Sequence, residues 1–299
     1  MSKRTWLCRV RSTRIFAVLV LIAALGGCIS RIRVLPPGDA PLPRIDASRA
    51  ELLSGLRQTS GAIESVEATV TLSVSSGATT GVLTSYREIR GFLLVRRPLH
   101  LRLQGESPLA FAQVFDMMSD GEMFRVWIPP LNEFFTGAND TVSTEDNAVL
   151  NLRPQHIMEA LFVDVREYLD DNRIMEPVLE ELTEGRRSFY ILTFIDAARE
   201  VPEIVEKVWI DRFDLQIVRK QVFGDDGVVQ TDAMYSGHHD VGGLAFPREI
   251  TIERPIEDYS VRIRFEATRL NSGIDDERFQ LEAPPGADFI EIGRTSSGN

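Results

Sequence analysis

The stretch Gly91–Pro129 reads GFLLVRRPLHLRLQGESPLAFAQVFDMMSDGEMFRVWIP and decides how the chain around it folds. After Arg97 the residue types alternate, with Leu99, Leu101 and Leu103 separated by polar side chains. Successive side chains of a β-strand point to opposite faces, so this pattern predicts a strand with one dry side. We therefore expect these three leucines to share one apolar face.

The second half of this stretch predicts a turn followed by a further strand. Ser119-Asp120-Gly121 favours a tight turn, because Asp can accept hydrogen bonds from nearby backbone and Gly tolerates positive φ. Phe124, Val126 and Ile128 then resume the alternation until Pro129 ends the strand. The stretch thus predicts several neighbouring strands with a continuous apolar face.

The N-terminus predicts export and lipid anchoring. An apolar run, Ile15–Leu25, follows five basic residues; it is too short for a bilayer span of roughly 20 residues, and residues 1–27 are typical of a signal peptide. Leu25-Gly26-Gly27-Cys28 resembles the lipobox of bacterial lipoproteins, which implies cleavage before Cys28 and acyl chains on it. Because Ile29 stands where an Asp signals inner-membrane retention, the resemblance implies a lipid-anchored, periplasm-facing protein of the outer membrane. The alternative is an uncleaved signal anchor with an incidental Cys.

Charge and composition limit the partners and outline the domains. The net charge is −11 and falls to −16 without the five basic residues of the signal. Such an acidic chain argues against nucleic acid, which needs excess Lys and Arg. We expect the lipidated Cys and a Pro-rich linker over 28–47, one domain over 48–290 and a tail over 291–299.

The remaining pattern predicts a mainly β fold with few helices. Leucines at helical spacing predict a helix over 48–61, and apolar residues at intervals of four predict one or two short helices over 153–169. Short alternating runs separated by turn residues predict about ten or eleven strands in an antiparallel meander. A sheet of that width must curl, and the helices can then cover its concave side.

Catalytic and metal-binding signatures are missing from the sequence. The four histidines, His100, His156, His238 and His239, do not stand at metal-ligand spacing, and there is no GxSxG, Walker or GxGxxG motif. Acidic pairs fall in turns, where Asp serves the backbone. We therefore expect a protein that is not an enzyme and uses neither a metal nor a cofactor.

Three motifs, in order, resemble the LolA/LolB family of lipoprotein carriers and acceptors. They are GFLLVRRP at Gly91–Pro98, MSDG at Met118–Gly121, and the closing RFQLEAPPG at Arg278–Gly286. The resemblance implies a strongly curved antiparallel sheet, an unclosed β-barrel whose helices form a lid over a cavity for acyl chains. It also implies that Arg97 lies at the cavity and helps to hold the lid.

The resemblance, together with the alternation, defines the candidate site. We expect the acyl-chain cavity to be lined by Arg97, Leu93, Val95, Leu99, Leu101, Leu103, Phe124 and Val126. Membrane-anchored acceptors of the family touch lipid through a protruding loop, and here the candidates on that loop are Leu109 and Phe111. The expected partners are lipid or lipoprotein acyl chains, the membrane through Cys28, and a periplasmic carrier protein.

Three alternatives stay open at this point. Leu109 and Phe111 can instead pack on the sheet, and Arg97 can instead be a surface residue at a strand end. The same fold can also be a structural scaffold whose interior is filled by the protein's own side chains, with Phe92, Phe111, Phe115, Phe124 and Trp127 as the candidates.

Overall fold

A computed structural model describes residues 43–76, 84–85, 88–139, 153–165, 168, 173–198 and 200–292. The predicted signal peptide, Cys28 and most of the linker lie outside the described residues, as do residues 293–299 of the tail. Pro43 begins one compact unit that contains all the elements discussed below. Among the described residues, no helix is long and apolar enough to cross a membrane.

Helix α1, Arg49–Ala62, begins at a capping box. The Ser48 side chain accepts a hydrogen bond from the Glu51 backbone amide, and the Glu51 carboxylate accepts one from the Ser48 amide. These reciprocal bonds satisfy donors that a helix start leaves unpaired. The face of α1 that carries Leu52, Leu53 and Leu56 is buried, as the leucine spacing predicts.

One open sheet organises the rest of the described chain. It contains 15 strands, and a further two-strand hairpin lies beside it. The strands are β1 (Ser65–Ser76), β2 (Thr84–Ser85), β3 (Ile89–Arg96), β4 (His100–Glu106), β5 (Gln113–Ser119), β6 (Met123–Ile128), β7 (Glu133–Ala138), β8 (Val178–Glu184), β9 (Arg187–Asp196), β10 (Glu203–Asp211), β11 (Ile217–Phe223), β12 (Val229–Ser236), β13 (His239–Val241), β14 (Leu244–Phe246), β15 (Glu249–Arg254), β16 (Tyr259–Leu270) and β17 (Asp288–Glu291).

The sheet is antiparallel except at one edge, where β17 runs parallel to β7. Its strand order is β17-β7-β6-β5-β4-β3-β1-β16-β15-β12-β11-β10-β9-β8, and the two outermost strands are not paired with each other. The expected large, curved, unclosed sheet with few helices is therefore confirmed.

The expected count of ten or eleven strands is wrong. Reading the sequence missed the edge strands β8 and β17 as well as the short strands β2, β13 and β14. Edge strands escape detection because neither face needs to be apolar: the β8 sequence VLEELTE has no buried residue, and all four residues of β17 are exposed.

Helix α2, Pro154–Leu161, packs on the apolar face of the sheet. Pro154 occupies the first helical turn, where its missing amide costs nothing. Ile157, Met158, Ala160 and Leu161 are buried in the same cluster as the inward side chains of β1, β3–β6, β12, β15 and β16. The chain leaves the helix at Phe162, and the prediction of one or two short helices over 153–169 is confirmed for Pro154–Leu161.

The other face of the sheet is partly covered by the chain after β16. Ile274 and Phe279 pack on Leu94 there, and the Arg96 guanidinium lies 4.9 Å from the Phe279 ring. A short 3-10 helix, Asp276–Phe279, belongs to this segment. The segment leads to β17, which covers the outer edge of β7.

Candidate functional site

Six of the residues predicted to line a cavity lie together on the inward face of the sheet. Side chains from β3, β4 and β6 are at most 2% exposed and belong to one apolar cluster: Leu93, Val95, Leu101, Leu103, Phe124 and Val126. The register brings Leu93 opposite Leu103, and Val95 opposite Leu101. Period-two alternation therefore located this face correctly.

Leu99 does not share the face, contrary to the prediction. It is 51% exposed and lies in the turn before β4 begins at His100. The alternation cannot extend to it, because residues 97–99 form a turn and not a strand. Leu99 packs instead on Gly121 of the neighbouring turn, where an added Cβ would lie 2.6 Å from the Leu99 Cβ.

Polar contacts fasten α2 to the sheet beneath it. The Lys220 ammonium donates to the backbone oxygen of Glu159 at 3.1 Å, and the Tyr235 hydroxyl donates to that of Ala160 at 2.7 Å. Thr231 donates to the Glu159 carboxylate at 2.7 Å. Satisfying the carbonyls at the end of a helix from an adjacent sheet fixes both its depth and its rotation.

A buried ion pair lies below these contacts. Lys220 and Glu206 are 3.3 Å apart, with side chains 5% and 1% exposed. Burial raises the pKa of Glu206, while Lys220 opposes that rise. Losing either partner would leave an uncompensated buried charge, which costs about 3–5 kcal/mol.

His156 joins α2 to β16. Its Nδ1 lies 2.6 Å from the Tyr259 hydroxyl, within hydrogen-bonding distance. Burial, assisted by Arg254 and Arg153, lowers the pKa of His156 from 6.5 to about 3. The imidazole is therefore neutral at pH 7 and binds Tyr259 as a structural group.

An apolar groove runs beside α1. Its volume is about 180 Å³, and its polar lining residues include Arg97 and His238. The apolar lining comes from α1, the chain after α2, β11 and the β13–β14 hairpin, and includes Leu52, Leu56, Phe162, Val163, Ile217 and Phe246. Gly55 also lines it, and a Cβ added there would meet nothing within 4 Å.

Arg97 lies at the border of this groove and connects the two helices. It forms an ion pair with Asp164, just beyond α2, and its Nε donates to the backbone oxygen of Ile63, just beyond α1, at 2.9 Å. Its guanidinium also lies 4.3 Å from the Phe162 ring. Arg97 is therefore positioned at the groove and contacts the chain beyond both helices.

A larger cavity, about 1040 Å³, is bordered by α2 on the side of its charged residues. Within the described part of the chain its lining includes Glu159, Glu206, Lys220, Arg254 and His156. Charged groups of both signs line this space, so it is not the continuous apolar cavity that the family resemblance implies.

The β4–β5 loop projects both of its predicted apolar side chains. Leu109 is 79% exposed and Phe111 is 75% exposed, so neither packs on the sheet. The loop is closed by hydrogen bonds from the Ser107 amide to the Ala112 oxygen and from the Phe111 amide to the Ser107 oxygen, both 2.9 Å. Phe111 has φ of +50°, in the left-handed region that non-glycine residues rarely adopt.

Sequence reasoning missed Gly55 and the Glu206–Lys220 pair. Lys220 carried a signal, because it occupies an inward position of β11, opposite Ala233 of β12. A charge at a position where alternation demands an apolar side chain indicates a buried polar site. No sequence signal marked Gly55, since the space beside it depends on the distant β13–β14 hairpin. No group of His, Cys, Asp and Glu suited to a metal ion is present among the described residues.

Comparison with known proteins returned matches only among solved structures. No family model matches the chain, and no curated protein matches it. A LolA superfamily protein from Nitrosomonas europaea aligns with TM-score 0.49 and 11% identity, over 79% of this chain and 99% of that one. An outer membrane lipoprotein-sorting protein domain from Vibrio parahaemolyticus aligns with TM-score 0.48 and 10% identity, over 77% of this chain and 95% of that one.

A DUF1329 family protein from Desulfovibrio piger aligns with TM-score 0.46 and 17% identity, over 78% of this chain and 95% of that one. One of these solved structures is a LolA superfamily protein, and the sequence motifs resemble the LolA/LolB family. With TM-scores below 0.5, these similarities carry no argument about what this chain binds.

Proposed function

We propose that this protein is an outer-membrane lipoprotein that binds acyl chains of lipids or lipoproteins between its sheet and its helices. The acyl chains of Cys28 would anchor it facing the periplasm, and it would take part in lipid or lipoprotein localisation. The observation that carries this proposal is the apolar groove beside α1, with Arg97 at its border. Burying an acyl chain stabilises by about 0.8 kcal/mol per CH₂, so apolar surface alone gives useful affinity.

Binding requires the groove to widen. Its 180 Å³ is below the roughly 300–1,000 Å³ of pockets that enclose a whole ligand. Helix α1 is the element proposed to move. It packs through three leucines and is hydrogen-bonded near its end, from Ser60 to the Val163 oxygen and from Asn271 to the Ala62 oxygen, whereas Lys220 and Tyr235 fasten α2 to the sheet. Moving α1 away from the sheet would extend the groove over the apolar face that α1 covers, which carries Leu192, Val208 and Ile210. The predicted lining residues Leu93, Val95, Leu101, Leu103, Phe124 and Val126 lie under α2 instead.

The exposed β4–β5 loop supports contact with lipid. Two large apolar side chains on one short loop cost free energy in water, and a bilayer interface removes that cost. In this proposal Leu109 and Phe111 touch the membrane, and a periplasmic carrier protein delivers the cargo.

A binding assay tests the proposal. The chain from residue 28 with Cys28→Ser has no acyl anchor and retains the whole compact unit. We expect it to bind a fluorescent fatty acid at micromolar protein, and unlabelled fatty acid to displace the probe. Absence of binding by a chain with an intact far-ultraviolet circular dichroism spectrum would reject the proposal.

A structural scaffold is the second candidate, favoured by the filled interior. Phe115 and Phe124 are each 1% exposed, and the buried side chains of α2 pack on the inward face and fill the space above it. Phe92 and Phe111 do not contribute, because both are exposed, and Trp127 is only partly buried. Native mass spectrometry of protein purified from its own membrane separates the two functions: co-purified lipid favours binding, and a bare chain favours the scaffold.

A further inference from the structure

The connections between the antiparallel strands lie at two opposite ends of the sheet, and the two ends differ in their exposed side chains. The end near α1, here called the helix end, carries the β3–β4 and β10–β11 turns and the β13–β14 hairpin. The opposite end, here called the loop end, carries the connections β4–β5, β6–β7, β9–β10, β11–β12 and β15–β16. In residue numbers, the described parts of these five connections are 107–112, 129–132, 197–198 with 200–202, 224–228 and 255–258.

Exposed apolar side chains are concentrated at the loop end. Of fifteen exposed large apolar side chains in the described ranges, six project from these five connections: Leu109, Phe111, Leu131, Val201, Val228 and Ile256. Two more, Met175 and Val178, lie where β8 begins at the same end. Only Ile45, Leu99 and Leu215 of the described residues lie at the helix end. Each of the five connections therefore presents at least one apolar tip.

We infer that the loop end is a membrane-docking surface that inserts these separate apolar tips into a zwitterionic lipid interface. The tips stand on different turns, so they do not form the continuous packed patch that a rigid protein partner requires. A lipid interface deforms around each tip and takes up its apolar area. This inference extends the proposed lipid contact from one loop to the whole end of the sheet.

The acidic residues near the apolar tips indicate which lipid head groups this end of the sheet would tolerate. Glu106, Glu200, Asp225 and Asp226 lie on or beside the same connections, while Glu257 is paired with Arg254. Like charges repel, so anionic lipid would weaken the contact and low salt would not strengthen it. A zwitterionic surface is therefore the matching partner.

The tether is long enough for this orientation. The chain enters the compact unit at the helix end, where the Ile45 amide donates to the Arg212 oxygen at 2.6 Å and Asp46 pairs with Arg212. A segment the length of residues 28–42 can reach about 45 Å at about 3 Å per residue. Strand β10, with 9 residues, spans about 30 Å. If Cys28 is lipidated as proposed above, the tether reaches past the sheet while the loop end rests on the bilayer.

This orientation determines which way the acyl-chain groove faces. The groove lies at the helix end, lined by Leu215, Ile217 and Phe246, and would face away from the membrane. A cargo delivered by a soluble carrier would then meet an accessible groove.

Vesicle binding tests the inference. The chain from residue 28 with Cys28→Ser is compared with a variant that adds Leu131→Ser, Val201→Ser, Val228→Ser and Ile256→Ser and keeps the β4–β5 loop intact. A control carries Ile45→Ser and Leu99→Ser at the helix end. We expect flotation with phosphatidylcholine vesicles to fall at least tenfold for the first variant and to stay unchanged for the control.

A site-specific probe locates the contact. The parent chain then lacks cysteine, because Cys8 and Cys28 are the only two in the sequence. An environment-sensitive dye on Val228→Cys or Ile256→Cys should shift to the blue with vesicles, and on Leu215→Cys it should not. Equal loss of flotation in both serine variants, no binding to zwitterionic vesicles, or binding that requires anionic lipid would each overturn the inference. Fatty-acid binding should persist in the loop-end variant, so failure of the proposed function is a separate outcome.

Discussion

Arg97 and Asp164 form an ion pair that joins the turn after β3 to the chain just beyond α2. Arg97 also holds the Ile63 oxygen beyond α1, so one side chain contacts the exits of both helices. Since the apolar groove lies between these exits, the pair is placed to control how far α1 can separate from α2.

Removing this ion pair should ease acyl-chain entry. For Asp164→Asn we expect the free energy of unfolding to fall by about 1–3 kcal/mol, because a hydrogen-bonded, partly buried charge pair is lost. Stopped-flow association of a fluorescent fatty acid should become several-fold faster. Arg96→Gln is the matched control, since Arg96 pairs with Asp276 on the outer face and should leave that rate unchanged. An unaltered association rate in Asp164→Asn would show that this ion pair does not limit acyl-chain entry.

Filling the groove should abolish binding without unfolding the chain. A Cβ added at Gly55 meets nothing within 4 Å, and Gly inside a helix is less stable than Ala by roughly 0.5–1 kcal/mol. We expect Gly55→Phe to retain or raise the urea midpoint and to lose fatty-acid binding at least tenfold. Ser54→Phe, on the exposed neighbouring position, should bind like the parent. Equal binding by both variants would place the acyl-chain site elsewhere.

The same group of three hydrogen-bonded side chains, here called a clamp, occurs in two hairpins on the outer face. Arg102 and Gln104 of β4 both donate to Asp116 of β5. In β11 and β12, Arg219 and Gln221 make the same bonds to Asp232. The registers also agree, since each Gln lies opposite its Asp. The motif R-x-Q followed by D therefore has a structural role in both halves of the sheet.

The two clamps should contribute independently to stability. Asp116→Asn and Asp232→Asn should each lower the free energy of unfolding by about 1–3 kcal/mol, because a buried carboxylate that accepts several hydrogen bonds is lost. Separate sites add, so the double variant should lose the sum to within about 0.5 kcal/mol. Urea denaturation measures all three, with exposed Glu180→Gln as the control. A double variant no less stable than either single one would show that the clamps are not separate.

Alternation located the inward face but could not show what covers it. The apolar spacing within β3 and β4 is a local pattern, and local spacing decides which side of a strand is dry. The groove beside Gly55 depends on α1 meeting the β13–β14 hairpin, almost 200 residues later in the sequence. The edge strand β8 was missed because its exposed, acidic sequence carries no apolar period. Long-range contacts and sheet edges are therefore the parts of the fold that the sequence pattern could not predict.

His156 should make the fold sensitive to mild acid. Its pKa is about 3 in the folded chain and 6.5 ordinarily, so between these values the unfolded chain binds a proton that the folded chain does not. Stability is fully present above pH 6.5 and falls as the pH drops, by about 2 kcal/mol at pH 5. Urea denaturation at pH 7 and pH 5 should reveal a larger loss in the parent than in His156→Gln, which keeps the smaller contribution of His238, whose pKa burial also lowers. His100→Gln should behave like the parent; identical pH dependence in all three would refute the assignment.

Strand β17 should keep the protein monomeric. The Asp288 amide donates to the Asn132 oxygen at 2.8 Å, and the Ile292 amide donates to the Thr136 oxygen at 2.7 Å, so this strand satisfies the outer edge of β7. The other edge, β8, carries glutamates that oppose pairing with a further strand, whereas β7 reads EFFTGA and has little such protection.

A chain ending at Ala287 should therefore self-associate with rising concentration in light scattering, while a chain ending at Ile292 should stay monomeric. If the shorter chain is unfolded by circular dichroism, Phe289→Ser, which weakens the stacking on Phe134, provides the milder test. Monomers of a folded shorter chain at all concentrations would mean that the β7 edge needs no cover.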